Sequence, residues 1–278
     1  MNTDALQVAN SMKPVWFFGC DMGGWHTRSK DALAICRWTP SGIDQHFVDH
    51  GRLFFPLSPN SRLINGIEVA SKSNEKVIIA IDAALAWPRD FLRLAVSSAK
   101  ASHLPDFDPN TGQIQNRYMF RETERFIKQH VRKSKDPFSA PGDAFGNPSS
   151  KAQAVVAAIL NTFPQAYRPP FDPWDLITSN SAAITVIEVY PAASQVCRRF
   201  MDLRWCDDED TFRDLSADDE NDAKRCSVTA MCYAKTIGIL HSELHVPEVW
   251  LPNEAGAEFD AERIRKEGWI FAPKIDVR

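Results

Sequence analysis

Trp16-Phe-Phe-Gly-Cys-Asp-Met-Gly-Gly-Trp25 is an apolar run that delivers one carboxylate, Asp21, to its end and then turns on two glycines. A carboxylate at the point where a buried strand emerges is unfavourable unless something binds it. Two further runs repeat the arrangement: Val77-Ile-Ile-Ala-Ile-Asp82, and Ile184-Thr-Val-Ile-Glu-Val-Tyr-Pro191 with Glu188 near its end. A fourth acidic cluster, Asp218-Asp-Glu-Asn-Asp222, opens the longest helical pattern of the chain. These four places are read as one site.

The chain has 278 residues, within the range of a single α/β domain with insertions, and one core is expected over residues 14–278. At 44% hydrophobic and 24% charged residues, it can bury a sheet covered on both faces, which excludes disordered and fibrous classes. A formal net charge of -4 gives no global attraction to phosphates or acidic membranes, so nucleic-acid contact would need a local basic patch or bridging metal. The six cysteines form no CxxC pair and several sit inside apolar runs, as expected of buried thiols in a reducing cytoplasm. Residues 1–13 lack the basic start and long apolar core of a signal peptide, and no apolar run approaches membrane-spanning length. A cytoplasmic, membrane-free protein is the expectation.

Residues 15–20 read as a central strand buried on both faces, and 31–38 and 44–50 as two more strands joined by the Pro40-Ser-Gly42 turn. Short connections make these an antiparallel meander. A helix over 61–72 then crosses to the strand at 77–82, which should run parallel to its neighbour. Helices are expected over 88–100, 120–135 and 151–163, with loops rich in proline and glycine over 102–116, 136–150 and 164–175. Residues 83–181 therefore read as a large, mostly helical insertion. After the strand at 184, helix resumes over 192–201, and 207–216 is an acidic turn or short helix. Residues 222–243 carry small residues at Ala223, Cys226, Ser227, Ala230 and Ala234, the stripe of a helix lying close on a sheet. Residues 267–273 read as a last short strand.

Three antiparallel strands, a crossover to parallel strands and a closing helix make an α/β fold with an RNase H-like mixed sheet flanked by helices. Asp21, Asp82 and Glu188 would lie toward the carboxyl ends of neighbouring strands, where open α/β sheets place ligands. Converging carboxylates repel, and hard oxygen ligands suit Mg²⁺ or Mn²⁺. Two such ions can activate a water and stabilise the leaving oxygen of a phosphodiester. Asp21, Asp82, Glu188 and Asp222 are the expected metal ligands and catalytic residues.

Gly19-Cys-Asp-Met-Gly-Gly-Trp25, Ile81-Asp-Ala-Ala-Leu85, Arg121-Glu-Thr-Glu124, Glu188-Val-Tyr-Pro191, Asp222-Ala-Lys-Arg-Cys226 with Ala230, and Glu267-Gly-Trp-Ile270 follow one another in a recognisable order. In that order and spacing the chain resembles the RNase H-like nucleases gathered as domain of unknown function 429. The resemblance implies an RNase H-like fold and nuclease activity, with Asp21, Asp82, Glu188 and Asp222 as the matching acidic positions. The chain departs from the family at Ala84, where proline is usual, and in the short glycine turn after Asp21.

Each residue also has an ordinary structural reading. Asp21 can form a turn, Asp82 can cap the following segment, Glu188 can be a paired structural carboxylate, and Asp222 can favour a helix start through the dipole alone. Arg121, Arg125, Lys128 and Arg132 can track a phosphate backbone, yet such a basic helix is more often a solvated charged face, and Arg121 and Glu124 are spaced to pair. His26 is placed to assist proton transfer but reads better as a loop histidine. Trp25 and Trp269 read better as packing than as base-stacking groups. Three functions are carried forward: a metal-dependent nuclease acting on nucleic acid, with Arg121 and Arg125 on the substrate; a phosphotransferase or ATPase of the actin and sugar-kinase type, since Asp21-Met-Gly-Gly resembles its phosphate loop; and a catalytically silent binding protein of the same fold.

Overall fold

The structure, a computed structural model, describes residues 13–25, 31–51, 53–54, 61–98, 116–131, 136–137, 139–169, 171, 183–194, 219–240 and 246–274. Six strands, β1 (Val15–Asp21), β2 (Asp31–Thr39), β3 (Gly42–Gly51), β4 (Lys76–Asp82), β5 (Ile184–Val189) and β6 (Ile270–Phe271), form one sheet in the spatial order β3-β2-β1-β4-β5-β6. The first three pair antiparallel, and β1, β4, β5 and β6 run parallel, the RNase H-like mixed layout. The meander closes at Gly42, whose φ of +122° a side chain would strain.

Helices α1 (Arg62–Lys72), α2 (Arg89–Ser98), α3 (Glu122–His130), α4 (Asp143–Thr162), α5 (Pro191–Ser194), α6 (Asp219–Thr236) and α7 (Ala261–Glu267) flank the sheet. α1 starts behind Ser61, whose hydroxyl accepts the Ile64 N–H at 3.2 Å, the usual N-cap arrangement.

Alternation along each strand sorts the apolar residues onto two faces. Phe17, Ile78, Ala80 and Ile187 pack beneath α6, against Ala223, Cys226 and Ala230. Phe18, Ile79, Ile81 and Val186 pack on the other face, against Ile64 and Ile67 of α1 and Val155 and Ile159 of α4. The β4–β5 connection is thus built into the core: α4 covers one face, while Phe126 and Ile127 of α3 join the other.

α6 lies unusually close to the sheet. A Cβ on Gly19 would come 2.0 Å from the Ala223 carbonyl oxygen and 2.4 Å from the Ser227 nitrogen, so only glycine fits beneath the helix. The small-residue stripe expected along this helix is what faces β1.

Several boundaries differ from the sequence reading. α4 begins at Asp143, inside a stretch expected to be loop, and carries Pro148 within it. One proline removes a single donor from the helix ladder. Anchoring bonds from Asn147 and Ser150 to the turn after β1 hold this part of the helix in place. α3 ends at His130, α5 has only four residues and α6 ends at Thr236, each shorter than expected. The remaining expected helical residues 99–100, 132–135, 195–201 and 241–243, the expected loop over 102–115 and the acidic stretch 207–216 lie outside the described residues. Among the described residues no helix is long and apolar enough to cross a membrane.

Candidate functional site

β1 and β4 are parallel neighbours, and their register sets Asp21 directly opposite Asp82. Register partners project from the same face, and adjacent strands are about 4.8 Å apart, so the two carboxylates stand side by side above the sheet's carboxyl edge. That face is the one α6 covers. Asp222 in the first turn of α6, together with Asp219, therefore comes over the same edge.

Asp21 and Asp82 are both half-buried, and no basic side chain among the described residues pairs with either. Burial, reinforced by the negative charges of Asp222, Asp219 and Asp31, pushes the Asp21 carboxyl up to about 8, against a small opposing pull from the Met22 N–H. Burial also raises Asp82 well above the ordinary carboxyl range, with Asp21, Asp222 and Glu188 adding to it. The Cys226 thiol on α6 is raised too, by its burial and by these aspartates. Asp222 accepts an N–H from Arg225 at 2.5 Å and keeps a quarter of its side chain exposed.

Glu188 is placed differently. It pairs with Ile81, one residue before Asp82, so alternation sends it from the opposite face of the sheet. Its neighbours two and four positions back, Val186 and Ile184, belong to the core beneath α1 and α4. Arg121 Nη1 donates to Glu188 Oε2 at 2.9 Å and Nη2 donates to Oε1, while the Leu85 N–H donates to Oε2 at 2.9 Å. Both carboxylate oxygens are therefore occupied. Glu188 and Asp82 still meet at the strand ends, where with Arg121, Glu124 and Tyr190 they line a cleft of about 300 Å³ including its open mouth.

Arg121 does not stand on an open face. It is 1% exposed and also donates to Glu124, so its guanidinium is shared between two carboxylates. The pairing of Arg121 with Glu124 was legible in their spacing; the reach to Glu188 was not. Arg125 donates to both oxygens of Glu122, at 2.9 and 3.0 Å. Trp269 is buried and donates to the Trp250 carbonyl at 2.9 Å, whereas Trp25 is half-buried and donates to Ser150 Oγ at 2.7 Å. His26 and Arg132 lie outside the described residues.

Two buried pairs escaped the sequence reading. Asp31, 1% exposed, receives Lys151 Nζ at 2.6 and 2.7 Å on its two oxygens. Glu267, fully buried, accepts from Arg263 and from the Arg89 and Glu122 amides. A charged residue inside an apolar pattern, such as Lys151 beside the alanine-rich 152–158, is the signal that could have marked the first.

The arrangement thus joins Asp21, Asp82 and Asp222 electrostatically and gives Glu188 to a guanidinium. Among the described residues no group of three or more His, Cys, Asp or Glu side chains is gathered closely enough to hold one metal ion. Two adjacent, half-buried carboxylates with no basic partner among the described residues are the donor type that Mg²⁺ or Mn²⁺ ordinarily takes, with water and substrate oxygens completing the shell.

Fold and site define an α/β protein with an RNase H-like mixed sheet and acidic residues at its carboxyl edge. Comparison with protein-family models, curated proteins and solved structures finds no match for the chain.

Proposed function

We propose that the protein is a divalent-metal-dependent nuclease of the RNase H-like kind, related to the family of domain of unknown function 429, that hydrolyses phosphodiester bonds in nucleic acid. The observation that carries this reading is the register pairing of Asp21 with Asp82, two half-buried carboxylates held side by side with no base against them among the described residues. Asp21 and Asp82 would hold Mg²⁺ or Mn²⁺, with Asp222 over the same edge. Bound there, the cation supplies charge neutralisation and an activated water.

The chain's own residues prepare the site. Burial under α6 keeps Asp21 and Asp82 in a medium where opposite charge is strongly attracted. Asp222 adds to that field from above. Arg121 and Arg125 are already paired with carboxylates, so a polyanion would be drawn chiefly by cation at the acidic edge rather than by a basic surface. The buried thiols of Cys20 and Cys226 accord with a reducing, cytoplasmic setting.

Incubation of purified protein with single-stranded, duplex and hybrid nucleic acids under Mg²⁺ or Mn²⁺ tests the proposal. Cleavage is expected from the wild type, with a loss of at least about a hundredfold in Asp21→Asn and in Asp82→Asn. Cleavage that survives both substitutions, or ATP-dependent phosphoryl transfer in its place, overturns it.

A further inference from the structure

The backbone after each strand-end aspartate is gripped in the same way. Following Asp21, the Gly23 N–H donates to Asp31 Oδ1 at 3.0 Å, and Lys151 of α4 neutralises that carboxylate. The Leu53 and Phe54 amides, at 3.2 and 3.3 Å, occupy Asp31 Oδ2. The same turn of α4 holds Trp25, whose N–H donates to Asn147 Oδ1 at 2.9 Å. It also packs against Gly24, where a Cβ would come 2.9 Å from Asn147 Nδ2 and make that side chain shift.

Following Asp82, the Leu85 N–H donates to Glu188 Oε2, and Arg121 at the start of α3 neutralises that carboxylate. Arg121 is fixed in turn by the Glu267 carbonyl at 2.9 Å and by Glu124. Gln153 of α4 reaches the Ala84 carbonyl at 3.4 Å, so one helix touches both turns. None of the four clasp residues exceeds 5% exposure: Asp31 is at 1%, Lys151 at 5%, Glu188 at 4% and Arg121 at 1%.

We propose that Asp31–Lys151 and Glu188–Arg121 are two positioning clasps, through which the β4–β5 connection fixes the turns that follow Asp21 and Asp82. Glu188 and Arg121 are then positioning residues, not a metal ligand and a substrate contact. Three observations argue for this. Glu188 leaves the sheet on the opposite face from Asp21 and Asp82, both its oxygens are taken, and any cation would have to displace a buried guanidinium. An exposed surface would not build the same amide–carboxylate–base chain twice at adjacent strand ends.

Amide exchange followed by NMR, with Mn²⁺ binding followed by water-proton relaxation, tests the proposal in the full chain. Lys151→Met is expected to speed exchange at Gly23 by at least about tenfold while Leu85 stays within about twofold, and Glu188→Gln to do the reverse. Lys151→Arg, which keeps the charge, should restore most of the Gly23 protection. Arg121→Lys should likewise hold Leu85 better than Arg121→Met, and Glu188→Gln serves if both Arg121 variants fail to fold. Exchange at Gly23 and Leu85 that is unchanged, or that rises equally across the strands, overturns the clasps.

The Mn²⁺ measurement rests on the metal reading above. Asp82→Asn is expected to abolish binding and Glu188→Gln to weaken it by no more than about tenfold. Equal loss in the two makes Glu188 a ligand and overturns its assignment. A wild type that binds no Mn²⁺ sinks the metal reading alone, because the exchange results still decide for or against the clasps.

Discussion

Four carboxylates stand at or beside the carboxyl edge of the sheet, and they fall into two contrasting pairs. Asp31 and Glu188 are almost completely buried, and each has a base against it: Lys151 for one, Arg121 for the other. Asp21 and Asp82 keep some contact with solvent, and among the described residues they have no base at all. Burial alone therefore does not separate these carboxylates; the presence of a base against them does. The deeper pair is compensated and serves the fold, whereas the shallower pair retains an electrostatic penalty that cation binding would relieve.

The sharpest way to break this contrast is to remove a base. Arg121→Met leaves Glu124 and Glu188 buried without their shared cation, and Lys151→Met does the same to Asp31. Each is expected to lower folding stability by about 3–5 kcal/mol, measured by chemical denaturation at neutral pH. A loss below about 1 kcal/mol would mean that water already reaches these groups, and the two pairs would not differ in kind.

Next in size is the contact that brings α6 over the aspartates. Gly19→Ala forces a methyl into the Ala223 carbonyl, and an effect of at least about 1–3 kcal/mol is expected from the shift of helix or strand. Ala95→Ser at an exposed position of α2 should change stability by no more than about 0.5 kcal/mol.

Removing charge from the other pair should act in the opposite direction. A carboxyl pushed up to about 8 in the folded chain, against an ordinary 3.8, holds its proton where the unfolded chain has lost it. Stability from Asp21 is therefore fully present below about pH 4 and is lost as pH rises toward 8. Asp21→Asn and Asp82→Asn are expected to stabilise the metal-free protein near pH 8–9 by on the order of 1 kcal/mol, with the gain fading toward pH 4. Denaturation series across that range would show it. A destabilising Asp82→Asn at pH 9 would place a cation against the aspartate that the contrast leaves out. Smallest of all, Lys72→Ala on α1 breaks only the exposed pair with Glu68 and should stay within about 0.5 kcal/mol.

The sheet was largely legible because its strands are short apolar runs ending in acids, a pattern that needs no partner to recognise. The small-residue stripe on α6 announced a close helix, and the placement of Asp21 and Asp82 at the ends of β1 and β4 followed from the apolar runs alone. Glu188 shows where such reading ends. Which face a residue leaves from depends on pairing, and a one-residue offset between Ile81 and Asp82 moves Glu188 across the sheet. Nothing local distinguishes the two registers. The start of α4 was hidden for a different reason: Gly146 and Pro148 oppose helix by propensity, and bonds to a turn more than a hundred residues away override them. Asp31 and Lys151 are likewise 120 residues apart, so neither betrays the other in the sequence.

The absent side chain at Gly19 has one more consequence. With nothing between the strand and the backbone of α6, no cushion of rotatable atoms can absorb a displacement there. Any partner or mutation that slides the helix would carry Asp222 with it relative to Asp21, turning a distant push into an altered spacing of negative charges.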